Sequence, residues 1–336
     1  MKPVRIGIVG LGRNTRNRHV PGFRAIEGVE LISVCNRRPE STRQAAAEFG
    51  ISKTFDDWEP LVCDDDIDAV MIGTWPYLHC PVTLAALDNG KHVLTEARMA
   101  GNLNEARQML AAANAHPKLV SQIVPSPFGL RAGQQVREML SAGYLGEQRE
   151  VVVRGANADF ADPGVPLHWR QSSEFSGINM LALGILHEAI TRWIPDPIWV
   201  FASTKTFSPQ ASCPDSVHVL TQLPNGARGI YHLSGVVHHA GEFAIELFGT
   251  SGTIRYELGS DRLLAGKHDE NTLQEIPIPN DKQGAWRVEA DFIEAIRGAA
   301  RPTLTDFAAG VRYMEFTEAV DRSAHDSRPV TLPLSS

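Results

Sequence analysis

The stretch Ile6–Thr15, with the sequence IGIVGLGRNT, predicts a buried strand, a glycine turn and the start of a helix. Gly10 permits the tight turn, and Gly12 allows the backbone to approach a pyrophosphate closely. The helix N-terminus then directs free N–H groups and a partial positive charge at that pyrophosphate. Thr15 stands where a third glycine is usual, which loosens the fingerprint. A dinucleotide is the expected ligand, with contacts from Gly10, Gly12, Arg13, Asn14 and Thr15.

The segments that follow this turn alternate between short apolar runs and helical patterns. The runs are rich in Val, Ile and Leu, which is typical of strands buried on both faces of a parallel sheet. The predicted strands are Val4–Val9, Leu31–Val34, Ala69–Gly73, His92–Thr95 and Leu119–Val124. The predicted helices are Pro39–Phe49, Cys80–Asn89 and Leu103–Ala115. This alternation predicts βαβ units and a doubly wound parallel α/β sheet, the Rossmann arrangement.

The pattern changes near residue 125, where Pro125-Ser126-Pro127 interrupts the alternation. Longer alternating strands follow, and Pro224-Asn225-Gly226 between two of them predicts a hairpin turn. These strands are Gln148–Gly155, Val217–Leu223, Gly229–Ser234 and Glu242–Phe248. Helices are predicted at Arg131–Ser141, Asn179–Ile194, Trp286–Arg297 and Phe307–Ser323. Consecutive strands with hairpin turns predict a mostly antiparallel sheet, so we expect two domains, residues 1–124 and residues 125–336.

The composition is ordinary for a globular chain and excludes several classes of function. The 336 residues suit two domains, since a domain has roughly 100–200 residues. A net charge of -7 argues against nucleic acid as a partner, because Lys and Arg neutralise its backbone. The sequence contains no run of about 20 apolar residues, so we predict no membrane span. The N-terminus lacks the apolar stretch of a secretory signal, so we expect a cytoplasmic protein.

The cysteines and histidines do not predict a metal centre. The four cysteines are scattered and form no C-x-x-C pair, which excludes the usual zinc and disulfide patterns. His218 and His232 are cross-strand partners if the hairpin turn centres on Asn225. These histidines have no fixed ligand spacing, so we predict no metal and favour a role at an interface or a substrate-facing surface.

The end of the second predicted strand is where a dinucleotide-binding sheet contacts the adenosine ribose. The sequence there is Cys35-Asn36-Arg37-Arg38. An acidic residue would bind the ribose 2′-hydroxyl of NAD, whereas Asn36 has no charge to repel a 2′-phosphate. Arg37 and Arg38 are suited to pair with that phosphate or to stack on adenine, and a solvated basic loop is the alternative. The pattern favours NADP as the cofactor, with NAD as the second choice.

These residues and several later motifs resemble the Gfo/Idh/MocA family, the glucose–fructose oxidoreductase and inositol dehydrogenase group. The resemblance runs along nearly the whole chain. Its motifs are specific when taken together, although each one alone is not. Its motifs are Gly7–Gly12, Val34–Arg37, Asp66–Val70, Gly90–Leu94, Gly143–Gly146 and Phe248–Gly252. It implies a Rossmann domain followed by an α/β domain with a large open sheet, whose exposed face commonly binds another subunit or the substrate. The implied chemistry is hydride transfer to or from a sugar, polyol or related carbonyl compound.

The chain departs from this family at positions that the resemblance assigns to proton transfer. The family's Glu-Lys-Pro motif appears as Glu96-Ala97-Arg98, and its Asp and His on the inserted helix correspond to Ala182 and Leu186. Glu96 is retained and expected at the cofactor. The three apolar replacements carry no proton. Arg98 is too basic to shuttle a proton but is able to stabilise an oxyanion or a carboxylate. Together these changes imply altered chemistry or none.

Two more segments correspond to family positions near the cofactor or substrate. The family's Thr-Pro-Asn loop appears here as residues 74–79, in which Trp75 packs on the cofactor or anchors the loop. Cofactor contacts are expected from Thr74, Trp75, Pro76 and His79. In His168-Trp169-Arg170, Trp169 is expected near the cofactor, and Arg170 is suited to hold a carboxylate, phosphate or hydroxyl. A packing Trp with a solvated Arg is the alternative.

His187 is the best replacement for the missing acid–base group, because its pKa in the neutral range suits proton transfer. It adjoins Leu186, and without a rotation of the helix it points about 100° away from that position. A satisfied histidine on the helix flank is the alternative. Glu188 precedes Arg192 by one helical turn, which predicts a surface ion pair.

The leading hypothesis is an NADP-preferring oxidoreductase acting on a sugar-like or other hydroxy or carbonyl small molecule. The candidate catalytic residues are His187, Arg98 and Arg170. The proton would come from His187, the substrate or water, while one of the two arginines polarises the reacting oxygen. Two alternatives stay open: a hydrolase or lyase that retains a tightly bound nicotinamide cofactor, and a non-catalytic dinucleotide-binding protein. The open sheet predicts a homodimer or homotetramer.

Overall fold

The computed structural model describes residues 3–241, 243–299 and 305–335. Its contacts divide the chain into two compact units. The first unit comprises Met1–Pro125 and Arg287–Met314, and the second comprises Ser126–Trp286 and Glu315–Ser336. The predicted boundary at residue 124 stays a prediction. The contacts group Arg287–Met314 with the first unit, although the sequence assigned that segment to the second domain.

The first unit contains a six-stranded parallel sheet with the strand order β3-β2-β1-β4-β5-β6. The strands are β1 (Val4–Val9), β2 (Val29–Cys35), β3 (Lys53–Thr54), β4 (Ala69–Ile72), β5 (His92–Thr95) and β6 (Ser121–Ile123). The central strands are apolar and buried on both faces, as the predicted sheet requires. The strand order is that of a doubly wound dinucleotide-binding sheet, which confirms the predicted class.

The described residues form α-helices in both units. In chain order they are α1 (Val20–Arg24), α2 (Pro39–Phe49), α3 (Trp58–Val62), α4 (His79–Asp88), α5 (Leu103–Ala115), α6 (Gly133–Ser141), α7 (Ser173–Ser176), α8 (Leu183–Ile190), α9 (Val288–Ile296) and α10 (Phe307–Asp326). Pro39 opens α2, and Gly50 ends it in the left-handed conformation. Helix α8 is shorter than predicted, because Leu181 has a φ of 45° that no α-helix accommodates.

The second unit contains a nine-stranded sheet with the order β14-β13-β12-β11-β7-β10-β9-β8-β15. The strands are β7 (Gln148–Ala156), β8 (Trp199–Lys205), β9 (Ser216–Gln222), β10 (Arg228–Ser234), β11 (Ala244–Gly249), β12 (Gly252–Glu257), β13 (Arg262–Lys267), β14 (Gln274–Glu275) and β15 (Val330–Thr331). Among the described strands of this sheet, only β7 and β10 pair in parallel, which confirms a mostly antiparallel sheet. Glu242, predicted to begin a strand, lies outside the described residues.

One face of this sheet is buried and the other is open. The register places Phe201, Leu220 and Ile230 side by side on three adjacent strands. They are 38%, 48% and 43% exposed, respectively. On the same open face His218 pairs with His232, with ring centroids 4.9 Å apart, which confirms the predicted hairpin register.

Candidate functional site

The glycine turn lies where the winding of the first sheet reverses, between β1 and β4. Gly10 has a φ of 87°, and a Cβ there would lie 2.6 Å from Cγ2 of Thr74. Both the left-handed backbone and the close approach of the next loop therefore require glycine. The carboxyl ends of strands on either side of such a switch point form the usual binding crevice of a doubly wound sheet.

Gly12 occupies a position of the turn where packing does not require a glycine. A Cβ at Gly12 would meet one atom of the described residues within 4 Å, the carbonyl oxygen of Gly73, at an ordinary 3.5 Å. No packing contact with these residues therefore demands a glycine at this position. A dinucleotide pyrophosphate resting on the backbone does demand one, so the turn fits the expected cofactor.

Thr15 replaces the third glycine by supporting the turn from inside. Its side chain is buried, and its hydroxyl donates a hydrogen bond to the Gly10 carbonyl over 3.2 Å. A Cβ on Gly73 would come within 2.0 Å of the Thr15 hydroxyl, so Gly73 provides the space that Thr15 takes. This arrangement explains how the departure is accommodated. A direct contact between Thr15 and the cofactor stays a prediction.

The helix after the turn contains a π-helical stretch, Thr15–His19, which continues into α1. Arg13 at its start is exposed. Asn14 is turned inward, and its amide donates a hydrogen bond to the carboxylate of Glu96. π-Helical insertions are common at functional sites because they redirect side chains. Here the insertion ends on His19, which points into the protein with no exposed surface.

The loop after β2 places two cations beside the start of a helix. Asn36 accepts a hydrogen bond from the Leu11 N–H over 2.7 Å and donates one to the Ser41 carbonyl over 3.0 Å. Its amide therefore joins the glycine turn to α2. Arg37 and Arg38 are exposed directly before α2. Their positive charges and the N-terminal end of the helix dipole favour an anion at this place.

His79 connects the two loops that follow β4 and β5. Its Nδ1 lies 2.8 Å from the Arg98 carbonyl oxygen, and its Nε2 lies 3.1 Å from the Thr74 carbonyl oxygen. The side chain has no exposed surface. Burial lowers the pKa of His79, although the two carbonyl contacts oppose that shift. These contacts favour a role in holding the loops, and the predicted cofactor contact stays a prediction.

The other residues of the loop after β4 follow the sequence-based prediction only in part. Pro76 is buried in a short 3-10 turn, Pro76–Leu78. Trp75 lies 6.5 Å from Tyr77 between ring centroids, and both are half-buried. Thr74 donates its hydroxyl hydrogen to the Trp75 carbonyl. The aromatic contact lies within the loop itself, so both roles considered for Trp75, packing on the cofactor and anchoring the loop, stay predictions.

The segment after β5 contains a buried carboxylate and a buried guanidinium. Glu96 accepts from Asn14 and lies 3.0 Å from Nε2 of His19. Burial alone would raise the pKa of Glu96, but the hydrogen bond and charge of His19 hold it below its usual value. Arg98 is only 1% exposed. Arg98 therefore does not present its guanidinium to solvent, and its predicted role at a substrate oxygen stays a prediction.

The sequence-based prediction missed the group that completes this arrangement. Nδ1 of His19 lies 2.5 Å from a carboxylate oxygen of Glu289, on α9. We name Asn14, His19, Glu96 and Glu289 the His19 cluster; all four belong to the first unit. Burial would lower the pKa of His19, but the hydrogen bonds to Glu289 and Glu96 raise it to about 9. His19 is thus an imidazolium at neutral pH.

In the second unit, His187 is enclosed by the buried face of the sheet. Its Nδ1 lies 2.9 Å from the Tyr231 hydroxyl, and its Nε2 lies 3.3 Å from Asp196. Its ring stacks on Phe316 with 3.6 Å between centroids, and it is 1% exposed. These contacts favour the alternative of a satisfied histidine. Acid–base catalysis by His187 stays a prediction that would require the helix to move.

The predicted pair of Glu188 and Arg192 is present but is not on the surface. The carboxylate of Glu188 accepts from two nitrogens of Arg192, and both side chains are buried. Arg192 also donates to the carbonyls of Ser126 and Phe128, and Glu188 accepts from the Ser126 N–H. The pair therefore fixes the start of the second unit to α8. The expectation of a surface pair was wrong, because these carbonyls and this N–H need buried partners.

Trp169 and Arg170 form part of a stacked series in the second unit. Phe160 stacks on His168 at 5.7 Å, and Arg170 lies over the Trp169 ring at 4.4 Å. Trp169 and Arg170 are both half-buried. The pair is thus a cation–π contact at the surface of this unit, which is compatible with either role considered for it.

The described residues contain no group of three or more His, Cys, Asp or Glu side chains arranged to hold a metal ion. Within the same residues, no helix has both the length and the apolar character needed to cross a bilayer.

Comparison with known proteins decides the family. A family model described as an oxidoreductase family with an NAD-binding Rossmann fold matches residues 4–123. A model of the GFO/IDH/MocA C-terminal domain matches residues 134–255. The chain belongs to the GFO/IDH/MocA family. This confirms the resemblance on which the sequence analysis relied.

Several relatives of this GFO/IDH/MocA protein have names that refer to sugars. It is 26% identical to dTDP-3,4-didehydro-2,6-dideoxy-alpha-D-glucose 3-reductase of Streptomyces antibioticus, over 94% of this chain and 96% of the relative. It is 28% identical to 1,5-anhydro-D-fructose reductase of Ensifer adhaerens, over 90% of both. A levoglucosan dehydrogenase in complex with NADH superposes with a TM-score of 0.86 at 21% identity, covering 99% of this chain and 100% of that one. At that identity the likeness concerns the fold.

The positions that the resemblance assigns to proton transfer lie in ordinary packing environments. Leu186 has no exposed surface, and Ala97 and Ala182 are half-buried. None of the three carries a titratable group.

Proposed function

We propose that this protein is an oxidoreductase that binds NADP(H) in preference to NAD(H) and acts on a sugar-like hydroxy or carbonyl compound. The observation that carries the proposal is the loop after β2. Arg37 and Arg38 are exposed at the start of α2, and Asn36 replaces the acidic residue that NAD binding favours. The sugar-related names of the relatives support the substrate class.

The residues of the first unit hold the cofactor, which supplies or accepts the hydride when bound. Gly12 and the N–H groups of the following helix receive the pyrophosphate. Arg37 and Arg38 pair with the 2′-phosphate. His79 connects the loops after β4 and β5 through its two ring nitrogens, and the carboxylate of Glu96 accepts a hydrogen bond from Asn14. A fixed arrangement of this kind supports rate by orienting the reacting groups in advance.

Proton transfer is assigned to water or the substrate itself. Ala97, Ala182 and Leu186 bear no proton, and His187 is enclosed by Tyr231 and Phe316. Arg170 is half-buried and supported by its contact with the Trp169 ring. It is the candidate that we propose for holding a substrate oxygen.

The test of cofactor preference is the affinity for NADPH and NADH in matched variants. Arg37→Asp should weaken NADPH binding and leave NADH binding the same or stronger, because a carboxylate repels the 2′-phosphate and accepts from a 2′-hydroxyl. Arg43→Asp is the control, since it makes the same charge change at an exposed site of α2, the helix that follows Arg37. An unchanged ratio of the two affinities in Arg37→Asp would overturn the assignment.

A hydrolase or lyase with a retained cofactor is the second candidate. The three apolar positions Ala97, Ala182 and Leu186 favour it, because they remove the groups expected to support net redox turnover. Mass spectrometry of the purified protein separates the candidates. The leading proposal predicts exchangeable cofactor and absorbance change at 340 nm with sugar substrates, whereas the second predicts cofactor that stays bound and shows no net turnover.

We also propose that a second copy of the chain covers the open sheet face. Phe201, Leu220 and Ile230 form a continuous exposed apolar row there, and such rows mark association surfaces. Light scattering should show a dimer or tetramer for the wild-type protein and a smaller species for Leu220→Asp. Wild-type protein that is monomeric at micromolar concentration would contradict this proposal. Arg43→Asp again serves as the control.

A further inference from the structure

The His19 cluster places a buried imidazole between two carboxylates. Both ring nitrogens of His19 face carboxylate oxygens, that of Glu289 at 2.5 Å and that of Glu96 at 3.0 Å. A carboxylate only accepts hydrogen bonds, so both ring nitrogens donate and the ring is positively charged. The side chain has no exposed surface, which removes solvent as a partner.

The fold makes specific room for this arrangement. A Cβ on Gly22 of α1 would lie 2.7 Å from the carboxyl carbon of Glu289, so the glycine leaves room for that carboxylate in its present position. The π-helical stretch that ends at His19 turns its ring toward Glu96 at the end of β5. Three separate segments of the first unit thus converge on one imidazole.

The cluster is connected to the turn that receives the pyrophosphate. Asn14 donates to the same oxygen of Glu96 that faces His19. Asn14 follows Gly12 closely, and the Arg16 N–H donates to the Gly12 carbonyl over 2.9 Å. A change in the charge or position of Glu96 is therefore transmitted to the first helical turn after the glycines.

Two segments packed against His19 bring carboxylates to its ring. They are Glu96 after β5 and Glu289 on α9, with Asn14 as the neutral partner. His79 of α4 acts on Glu96 through its charge when protonated. With His19 protonated, the two carboxylates and the imidazolium sum to one negative charge. Loss of its proton leaves two negative charges behind the pyrophosphate turn.

We propose that His19 is a positioning residue for the cofactor, which joins Glu96 to Glu289 and makes dinucleotide affinity depend on its proton. The inference rests on the proposed function, because it needs a dinucleotide at the glycine turn. As pH rises, His19 loses its positive charge. The net charge of the His19 cluster then becomes more negative by one, which opposes binding of the phosphates of the cofactor. Glu96 also loses the partner that keeps it in place for Asn14.

The size of the effect follows from electrostatics. By Coulomb's law, one added charge about 10 Å from a unit negative charge, at an effective dielectric constant of about 20–40, weakens the binding of that anion roughly fourfold to sixteenfold. The midpoint of the loss should lie near the pKa of His19, which the two carboxylates raise to about 9. Cofactor binding itself would move that midpoint upward, because the bound phosphates favour the protonated form.

The experiment measures the dissociation constant of NADPH by fluorescence from about pH 7.5 to about pH 10 in four proteins. The wild-type protein should lose affinity across this range. His19→Gln retains one hydrogen-bond donor but no charge, and it should bind more weakly at pH 7.5 with no alkaline loss. Glu289→Gln should shift the midpoint of the loss to lower pH, because it removes one of the two carboxylates that stabilise the imidazolium. Glu294→Gln, an exposed change on the same helix, should behave as wild type.

The outcomes separate this inference from the proposed function. NADPH binding with the same affinity at all pH values in the wild-type protein overturns the role of His19 and leaves the cofactor assignment intact. An unchanged midpoint in Glu289→Gln overturns it as well, since a merely structural role of the cluster would not link that residue to the pH profile. Failure of wild-type protein to bind NADPH or NADH at any pH overturns both proposals. If His19→Gln does not fold, the midpoint of the alkaline loss of affinity in Glu289→Gln still tests the inference.

Discussion

The charge of His19 should make the stability of the first unit decline at alkaline pH. His19 has no exposed surface and is held between Glu289 and Glu96. Those hydrogen bonds raise its pKa from 6.5 in the unfolded chain to about 9, against the effect of burial. A raised pKa means that the folded state binds the proton more tightly than the unfolded state does. The stabilisation is therefore fully present below pH 6.5 and is lost as pH rises through about 9.

The magnitude follows from the shift in the pKa of His19. A difference of one pKa unit corresponds to about 1.4 kcal/mol, so the shift corresponds to about 3 kcal/mol at acidic pH. The same linkage gives about 2 kcal/mol near pH 7.5 and almost nothing near pH 10. No reduction for solvent screening applies, because the imidazole is fully buried.

Urea denaturation of the cofactor-free protein at several pH values measures this effect. The quantity to compare is the difference in the free energy of unfolding between the wild-type protein and His19→Gln, which removes the contribution of other titrating groups. That difference should shrink by about 2 kcal/mol between pH 7.5 and pH 10. Glu294→Gln, exposed on α9, should show a difference from wild type that does not change with pH. A difference for His19→Gln that stays constant with pH would refute the charged state of His19.

Three further predictions concern separate sites. Gly12→Ala should weaken NADPH binding at least tenfold but change the free energy of unfolding by no more than about 0.5 kcal/mol, because the added Cβ makes only an ordinary contact. Gly10→Ala should lower the free energy of unfolding by roughly 1–3 kcal/mol. Equal losses of stability in the two variants would contradict this distinction. Arg192→Met should lower the free energy of unfolding by about 3–5 kcal/mol, since it leaves the buried carboxylate of Glu188 without its guanidinium partner. Urea denaturation measures this loss, and a loss below about 1 kcal/mol would be incompatible with burial of the pair. Tyr231→Phe should cost about 1–2 kcal/mol by removing the hydroxyl that His187 contacts, measured in the same way, and no loss would show that this hydrogen bond is not formed.

The fold of the first unit was predictable because its local signals agree with its topology. Apolar runs of strand length alternate with helical patterns, and β1, β5, α2 and α5 have the bounds that the sequence predicts. Edge strand β3, with two residues, was not predicted, because so short a segment has no period to detect. The assignment of α9 to the first unit was not predictable either, since it depends on contacts between segments far apart in the sequence.

The candidate site was predictable where a motif determines the backbone. Gly10 and Gly12 take the positions that the fingerprint gives them, and Glu96 lies at the end of β5 as expected. The role of His19 was not visible, because a π-helical stretch changes the helical period just before it. Its partner Glu289 is remote in sequence, and no local pattern links the two. A pair of this kind is found only when the structure brings its members together.

The most direct test of the central claim is titration of the purified protein with NADPH and with NADH, followed by mass spectrometry of any retained cofactor. The proposal predicts saturable binding of both, with NADPH bound at least several times more tightly at moderate salt. Tighter binding of NADH would contradict the role given to Arg37 and Arg38, and binding of neither would contradict the assignment of the glycine turn as a dinucleotide site.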